Sequence, residues 1–220
     1  MIWHEVKLDI LVEKYISGGT PNTKITKYWD GEIPWITGAD FDEGSVSIGR
    51  RFVTKDGVEN SATNIVPKGS ILVVTRTGVG KIALAPLDLA ISQDVTGLVL
   101  HEGIDNQFVL GAIKNRMRNL LSAQRGTIIK GITRKDLQRL TVPLTSPSEQ
   151  KRIAEIISEA DTLLDETKRQ IARVENLIKA INTRAYSSDL TKKWREENSE
   201  SLSSEMKILT ENLGLNSSVK

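Results

Sequence analysis

The most restrictive stretch of this 220-residue chain runs from Ser146 to about Tyr186, SPSEQKRIAEIISEADTLLDETKRQIARVENLIKAINTRAY. Apolar residues recur in it on a seven-residue beat. One series is Ile153, Ala160, Thr167, Val174 and Ile181; a second, four residues on, is Ile157, Leu164, Ile171 and Ile178. Two seam positions in every seven, with Thr167 the single polar member, predict a coiled-coil helix and exclude a strand, whose side chains alternate with period two. Ser146 is placed to cap the helix, Pro147 suits its first position with a fixed φ, and Glu149 stands where the return half of a capping box belongs. No Pro or Gly follows before Ser187. Such a helix spans roughly 55–60 Å at about 1.5 Å per residue, more than a small preceding domain can cover, so the seam predicts a partner helix. Ile156, Leu163 and Leu177 widen the stripe, which leaves packing on the chain's own domain open for part of it.

The remainder has room for one domain of ordinary size, and 39% hydrophobic residues suffice for a core. There are no cysteines, which removes disulfides and Cys-based zinc sites, and with only His4 and His101 a zinc finger is untenable. Met1 is followed by IWHEVKLDI, without a basic or apolar leader region, and no segment approaches the roughly eighteen apolar residues of a membrane span. These features predict a soluble, cytoplasmic protein with no membrane partner.

Net charge is +2, but its distribution is uneven. Residues 1–45 carry four Lys and eight Asp or Glu, a balance of −4. Residues 111–139 carry eight Lys or Arg (Lys114, Arg116, Arg118, Arg125, Lys130, Arg134, Lys135 and Arg139) against Asp136 alone, a balance of +7. The helical stretch 147–186 is neutral, seven against seven. A basic block beside an acidic one fits either a polyanion-binding face or ordinary solvated surface.

Along the chain, Gly18-Gly19-Thr20-Pro21 marks a turn, Asn22 to Gly31 is loop-like, and Glu32 to Thr37 reads as a short strand that Pro34 confines to an edge or a strand start. Trp29 and Trp35 are either core anchors or bases' stacking partners. Phe52 to Asn60 suggests a short helix. Ser70 to Thr75 is a buried strand, answered across Arg76-Thr77-Gly78-Val79-Gly80 by Lys81 to Ala85, and Asp94 to Leu100 is a further strand. A helix is expected from Asn106 to Ala123, then a loop from Arg125 to Gly131, a short helix capped by Thr133 with Asp136, and a strand from Arg139 to Leu144. Without regular βαβ alternation this is an α+β domain. Residues 187–220 are polar and serine-rich, balanced at −1, and are expected to hold short helical pieces and to be partly disordered.

TRTGVGKIA invites a nucleotide-binding reading but fails it. A P-loop needs Gly where Thr75 stands and Ser or Thr where Ile82 stands. The better reading is a tight turn between strands, with Arg76 and Lys81 beside a backbone that can approach a DNA phosphate. No Gly-x-Ser-x-Gly elbow, His-Glu-x-x-His pair, cysteine nucleophile or Gly-rich cofactor loop is present, so nothing points to catalysis by this chain.

Taken together, Ile16-Ser17-Gly18-Gly19-Thr20-Pro21, then Tyr28-Trp29-Asp30-Gly31-Glu32-Ile33-Pro34-Trp35-Ile36, resembles the opening of a target recognition domain from specificity subunits of type I restriction-modification systems. Gln124-Arg125-Gly126-Thr127 to Leu137, followed by Leu140-Thr141-Val142-Pro143-Leu144, is similar to that domain's closing segment. Glu149-Gln150-Lys151-Arg152-Ile153-Ala154 resembles the start of the family's helical region, and Asp189 to Arg195 the stretch that follows it. The resemblance covers nearly all of residues 1–195. The family typically has two recognition domains and two such helices; this chain has one of each and no internal repeat, so it looks like half of such a subunit, natural or truncated.

The resemblance implies a recognition domain with a twisted mixed β-sheet and short helices over 1–145, a long helix over 146–186 pairing antiparallel with a second copy, and a tail over 187–220. It implies a non-catalytic subunit that reads a bipartite site on double-stranded DNA as a homodimer. The modification subunits would bind S-adenosylmethionine and the restriction subunit would use ATP and Mg; this chain itself would hold no cofactor and no metal. Candidate DNA contacts are Arg76, Thr77 and Lys81 in the turn and Arg125, Thr127 and Lys130 in the late loop, with Arg50, Arg51 and Arg118 behind them. Candidate dimer contacts are the nine seam residues. A stand-alone dimeric DNA-binding regulator and a coiled-coil scaffold without DNA specificity stay open beside this reading.

Overall fold

A computed structural model of the chain describes residues 3–42, 44–123 and 132–215, with side chains of 118–123 outside the description. Two compact units divide it, residues 1–160 and residues 161–220. The strands are β1 (His4–Lys7), β2 (Val12–Ser17), β3 (Trp29–Ile36), β4 (Phe52–Val53), β5 (Asn64–Val66), β6 (Ile71–Val74), β7 (Ile82–Leu84), β8 (Leu89–Ile91), β9 (Val95–Leu100) and β10 (Thr141–Leu144). The helices are α1 (Leu8–Leu11), α2 (Lys55–Glu59), α3 (Asn106–Ala123), α4 (Arg134–Arg139), α5 (Pro147–Tyr186), α6 (Lys192–Glu197) and α7 (Ser199–Asn212). No helix among the described residues is long and apolar enough to cross a membrane.

The first unit is built around an antiparallel sheet of order β2-β9-β6-β7. Its strand β6 reads Ile-Leu-Val-Val without alternation because both faces are covered. Ile71 and Val73 pack with Leu8, Leu98, Val109, Ile113, Leu137 and Val142 on one side. Leu72 and Val74 pack with Ile36, Val66, Leu89 and Ile91 on the other. That second core is closed by a mixed sheet of order β4-β3-β8-β5, in which β3 and β8 run parallel. Gly97 permits the approach: a Cβ there would lie 2.7 Å from the Val66 side chain. A short pair, β1 with β10, ties the start of the chain to the segment before α5. The α+β class read from the sequence is the class observed.

Several local expectations are revised. Pro34 lies in a strand with neighbours on both sides, not at an edge; β3 pairs with β8 only from Trp35 onward, so the missing N–H costs that ladder nothing. The helix expected from Phe52 begins later. Phe52 and Val53 pair with β3, and Thr54 accepts the Gly57 N–H at 3.0 Å as the cap that starts α2. The Thr133–Asp136 capping box forms as read, and the hydrogen bonds from the Thr133 hydroxyl and N–H hold the Asp136 carboxyl below its usual range. At α5, Ser146 Oγ accepts from the Glu149 N–H at 3.4 Å, but the Glu149 carboxylate takes the Thr145 hydroxyl rather than completing a box.

In the second unit, α6 and α7 occupy most of the stretch from Lys192 to Asn212, and neither has a buried residue. Leu202, Met206 and Leu209 of α7, with Leu213 at its C-cap, follow the same four-three spacing as the seam of α5.

Candidate nucleic-acid interface

The turn between β6 and β7 is held on two sides. Thr75 donates its N–H to Asp94 O at 2.8 Å, and its own carbonyl accepts the Ile132 N–H at 2.8 Å. Val74 and Lys81 close the hairpin at 2.9 Å, and Gly78 and Gly80 adopt φ values of +85° and +95°, where a side chain would be strained. Arg76 and Thr77 are exposed on this turn, and their side chains bond to no other described residue. Lys81 is committed: its Nζ donates to Phe41 O at 2.9 Å.

That carbonyl belongs to the loop after β3. Thr37 caps a single turn, Gly38–Asp40, with Asp40 Oδ2 accepting the Thr37 N–H and hydroxyl at 2.8 Å each. Asp40 is only 6% exposed, and its Oδ1 accepts Arg50 Nη1 at 2.9 Å. The returning limb is fixed by a Phe41–Val46 bridge, by Ser47 N–H to Asp40 O at 2.8 Å, and by Asp42 N–H to Ser45 O at 3.1 Å. Gly38 packs directly on the neighbouring turn, since a Cβ would lie 2.6 Å from Thr77 O. At the tip, Gly44 has φ of +87°, and its absent Cβ would lie 2.9 Å from Lys114 Nζ on α3. Arg50, Arg76, Thr77, Lys81 and Lys114 therefore gather around one loop, residues 37–50. In the sequence Lys114 was legible only as one charge of a basic block, and of the loop only Arg50 was singled out.

Other candidates lie elsewhere. The Arg51 guanidinium sits 5.9 Å from the ring centres of both Trp29 and Trp35, in a depression lined by Thr23, Trp29, Asp30, Arg50, Arg51 and Phe52. Trp35 is buried and donates its indole N–H to Gly19 O at 3.1 Å, and Trp29 meets it edge-on at 5.2 Å. Of the two readings, core anchor holds for Trp35. Two members of the basic block are engaged by residues from the start of the chain. Arg116 pairs with Glu5, and Arg134 covers the Tyr15 ring at 4.6 Å. Burial pushes the Tyr15 hydroxyl well above its ordinary value, with Asp9 adding to the effect. Arg125, Thr127 and Lys130 lie outside the described residues, as does the side chain of Arg118.

The seam divides as well. Ile153 is half-buried against the chain's own core, Ala154 is buried, and Ile157 Cδ1 would lie 3.1 Å from a Cβ on Gly111 of α3. Ile153 and Ile157, the first two seam residues, thus serve the first unit's own packing. Ala160 is exposed. Leu164, Ile171, Val174, Ile178 and Ile181 are each more than half exposed, as are Leu163 and Leu177. Thr167 donates its hydroxyl to Leu163 O at 2.8 Å, within its own helix. Among the described residues, no cluster of His, Asp or Glu could hold a metal ion.

The family model described as "Type I restriction modification DNA specificity domain" matches residues 2–176. The chain is 30% identical over 168 residues to the MjaIX specificity subunit of Methanocaldococcus jannaschii, covering 73% of this chain and 38% of the relative. It is 29% identical over 169 residues to the EcoR124I/EcoR124II specificity subunit of Escherichia coli, covering 74% of this chain and 42% of the relative. It thus spans about two fifths of the length of these relatives. Among solved structures, the HsdS subunit from Thermoanaerobacter tengcongensis superposes with a TM-score of 0.60 at 22% identity, covering 85% of this chain and 45% of that one. A chain from a study of assembly and conformational transition in the type I R-M system gives 0.64 at 23% identity, covering 85% and 46%.

Proposed function

The chain belongs to the family of type I restriction modification DNA specificity domains, and on that premise we propose that its first unit reads a short half-site on double-stranded DNA as the specificity component of a type I restriction-modification enzyme. The observation that carries this reading is the gathering of Arg50, Arg76, Thr77, Lys81 and Lys114 around the loop 37–50. Arg76 and Lys114 on such a rim neutralise phosphates and fix register, while Arg50 and Lys81 brace the loop and short side chains between them meet base edges. The chain supplies specificity and scaffold rather than catalysis. Modification subunits carrying S-adenosylmethionine would methylate adenine in the bound site, and a restriction subunit using ATP and Mg would cleave. A DNA-reading subunit of this kind works in the cytoplasm.

The exposed part of the α5 seam supports pairing with a second copy. Antiparallel pairing would place two recognition units on one duplex, so the site would be an interrupted palindrome whose spacing the helices set.

Selection from random duplex DNA tests this, with the chain alone and with its modification subunit. Two inverted half-sites at fixed spacing are expected. A single half-site would remove the homodimer. Binding without the modification subunit, and no complex with it, would favour a stand-alone regulator; no DNA under either condition would leave only a scaffold.

A further inference from the structure

The returning limb of the loop after β3 has a construction that the assembly of a core does not require. Its stem is braced by the Phe41–Val46 bridge, by the Ser47 N–H on Asp40 O at 2.8 Å, and by Arg50 on the buried Asp40 carboxylate at 2.9 Å. Val46 turns into the core, whereas Ser45, Ser47 and Ile48 stay exposed beside it. Neither serine hydroxyl bonds to another described residue. The cations around the limb fall into two groups. Arg50 and Lys81 are spent on Asp40 and on Phe41 O and brace the loop. The side chains of Arg76 and Lys114 have no hydrogen bond or ion pair to any described residue and flank it from the neighbouring turn and from α3.

We propose that this limb is the base-reading finger of the chain: Ser45, Ser47 and Ile48 meet base edges, and Arg76 and Lys114 hold the phosphates on either side. The assignment rests on the DNA-reading role proposed above and names the side chains that carry its specificity. Two limbs joined by a bridge make a short two-stranded ribbon, a shape the major groove admits. Hydroxyls there donate to or accept from base edges, and an aliphatic side chain meets the thymine methyl. A stem fixed before DNA arrives leaves little ordering to be done on binding, which favours discrimination over loose attachment.

The test is selection from random duplex DNA with the full chain and its modification subunit, run in parallel for wild type, for the triple variant Ser45→Ala/Ser47→Ala/Ile48→Ala, and for Lys114→Gln. The triple variant is expected to lose about tenfold or more of its preference at one to three half-site positions, with non-specific affinity and salt slope unchanged. Lys114→Gln is expected to weaken binding evenly across sequences and to lower the slope of log K against log salt by about one. All three substitutions in the triple variant are at exposed positions, and a thermal melt checks its fold. A folded triple variant that recovers the wild-type half-site base for base would overturn the assignment while leaving the DNA-reading role intact. Recovery of no half-site by the wild type would remove that role and the finger with it.

Discussion

Gln150 Oε1 accepts the backbone N–H of Asp105 at 3.0 Å, and the same amide donates through Nε2 to Thr145 O at 2.7 Å. The side chain is 1% exposed. Asp105 in turn caps α3 by accepting the Phe108 N–H at 2.8 Å, so one buried amide joins the first turn of α5 to the start of α3. Gln150→Leu would keep the volume and orphan a buried donor and acceptor, at a cost of about 1–3 kcal/mol for each group left without water. Urea unfolding of the variant measures this directly. A midpoint equal to wild type would mean that water replaces the amide.

Asp40 and Arg50 form an ion pair whose partners are unequal, with side-chain exposures of 5% and 64%. Removing the exposed cation, Arg50→Ala, leaves the buried Asp40 carboxylate without its counter-charge but with both Thr37 hydrogen bonds, and should cost about 1 kcal/mol, less than a buried charge left wholly unpartnered. Asp40→Ala removes the ion pair and the cap together and should cost about 1–2 kcal/mol. Equal losses in denaturant titrations of the two variants would show that the pair, not the cap, holds the loop.

Legibility in the sequence followed the range of the interactions. The seam of α5, the β6–β7 hairpin and the Thr133 cap depend on residues a few positions apart, and each was readable from spacing. The three-residue strands β5 and β8 were missed because Asn64–Val66 and Leu89–Ile91 are too short to show a period and are strands only through their pairing. Charge misled for the same reason. Arg116 and Arg134 belong to a basic block in sequence, yet their partners Glu5 and Tyr15 come from the other end of the unit. The candidate interface was half legible: Arg76, Thr77 and Lys81 stood out around two glycines, whereas Lys114 meets Gly44 only in the folded chain. The Gly18-Gly19 and Trp29/Trp35 motifs carried the family resemblance; here Gly19 O accepts the Trp35 indole N–H, and Gly18 packs on the backbone of Ile91 and Ser92.

That packing makes Gly18 a sharp test. A Cβ there would lie 2.2 Å from Ser92 O and 2.3 Å from Ile91 O, both backbone atoms of β8 or its next residue, which cannot step aside. Gly18→Ala should destabilise by about 1–3 kcal/mol or more. Gly111→Ala meets only the flexible Ile157 Cδ1 at 3.1 Å, and alanine in a helix interior gains up to about 1 kcal/mol over glycine. Thermal melts should therefore separate the two variants, with Gly18→Ala well below wild type and Gly111→Ala near or above it. A reversed order would refute the packing described for the glycine pair.

Thr167 is the polar member of the α5 seam, and its hydroxyl is satisfied by Leu163 O at 2.8 Å within its own helix. Replacing it by Ile therefore strands no partner, and on the proposed pairing it adds apolar surface to the interface from both copies. With about 0.8 kcal/mol per buried methylene and about 1.4 kcal/mol per tenfold in affinity, Thr167→Ile should tighten self-association by about tenfold or more. Ile171→Glu, which places a charge in the same seam, should abolish it. Neither change touches the first unit, so binding to a single half-site should persist in both. Sedimentation equilibrium across a dilution series reads the association. If Thr167→Ile and Ile171→Glu leave the mass distribution of the wild type unchanged, the seam is covered by another protein's helix rather than by a second copy.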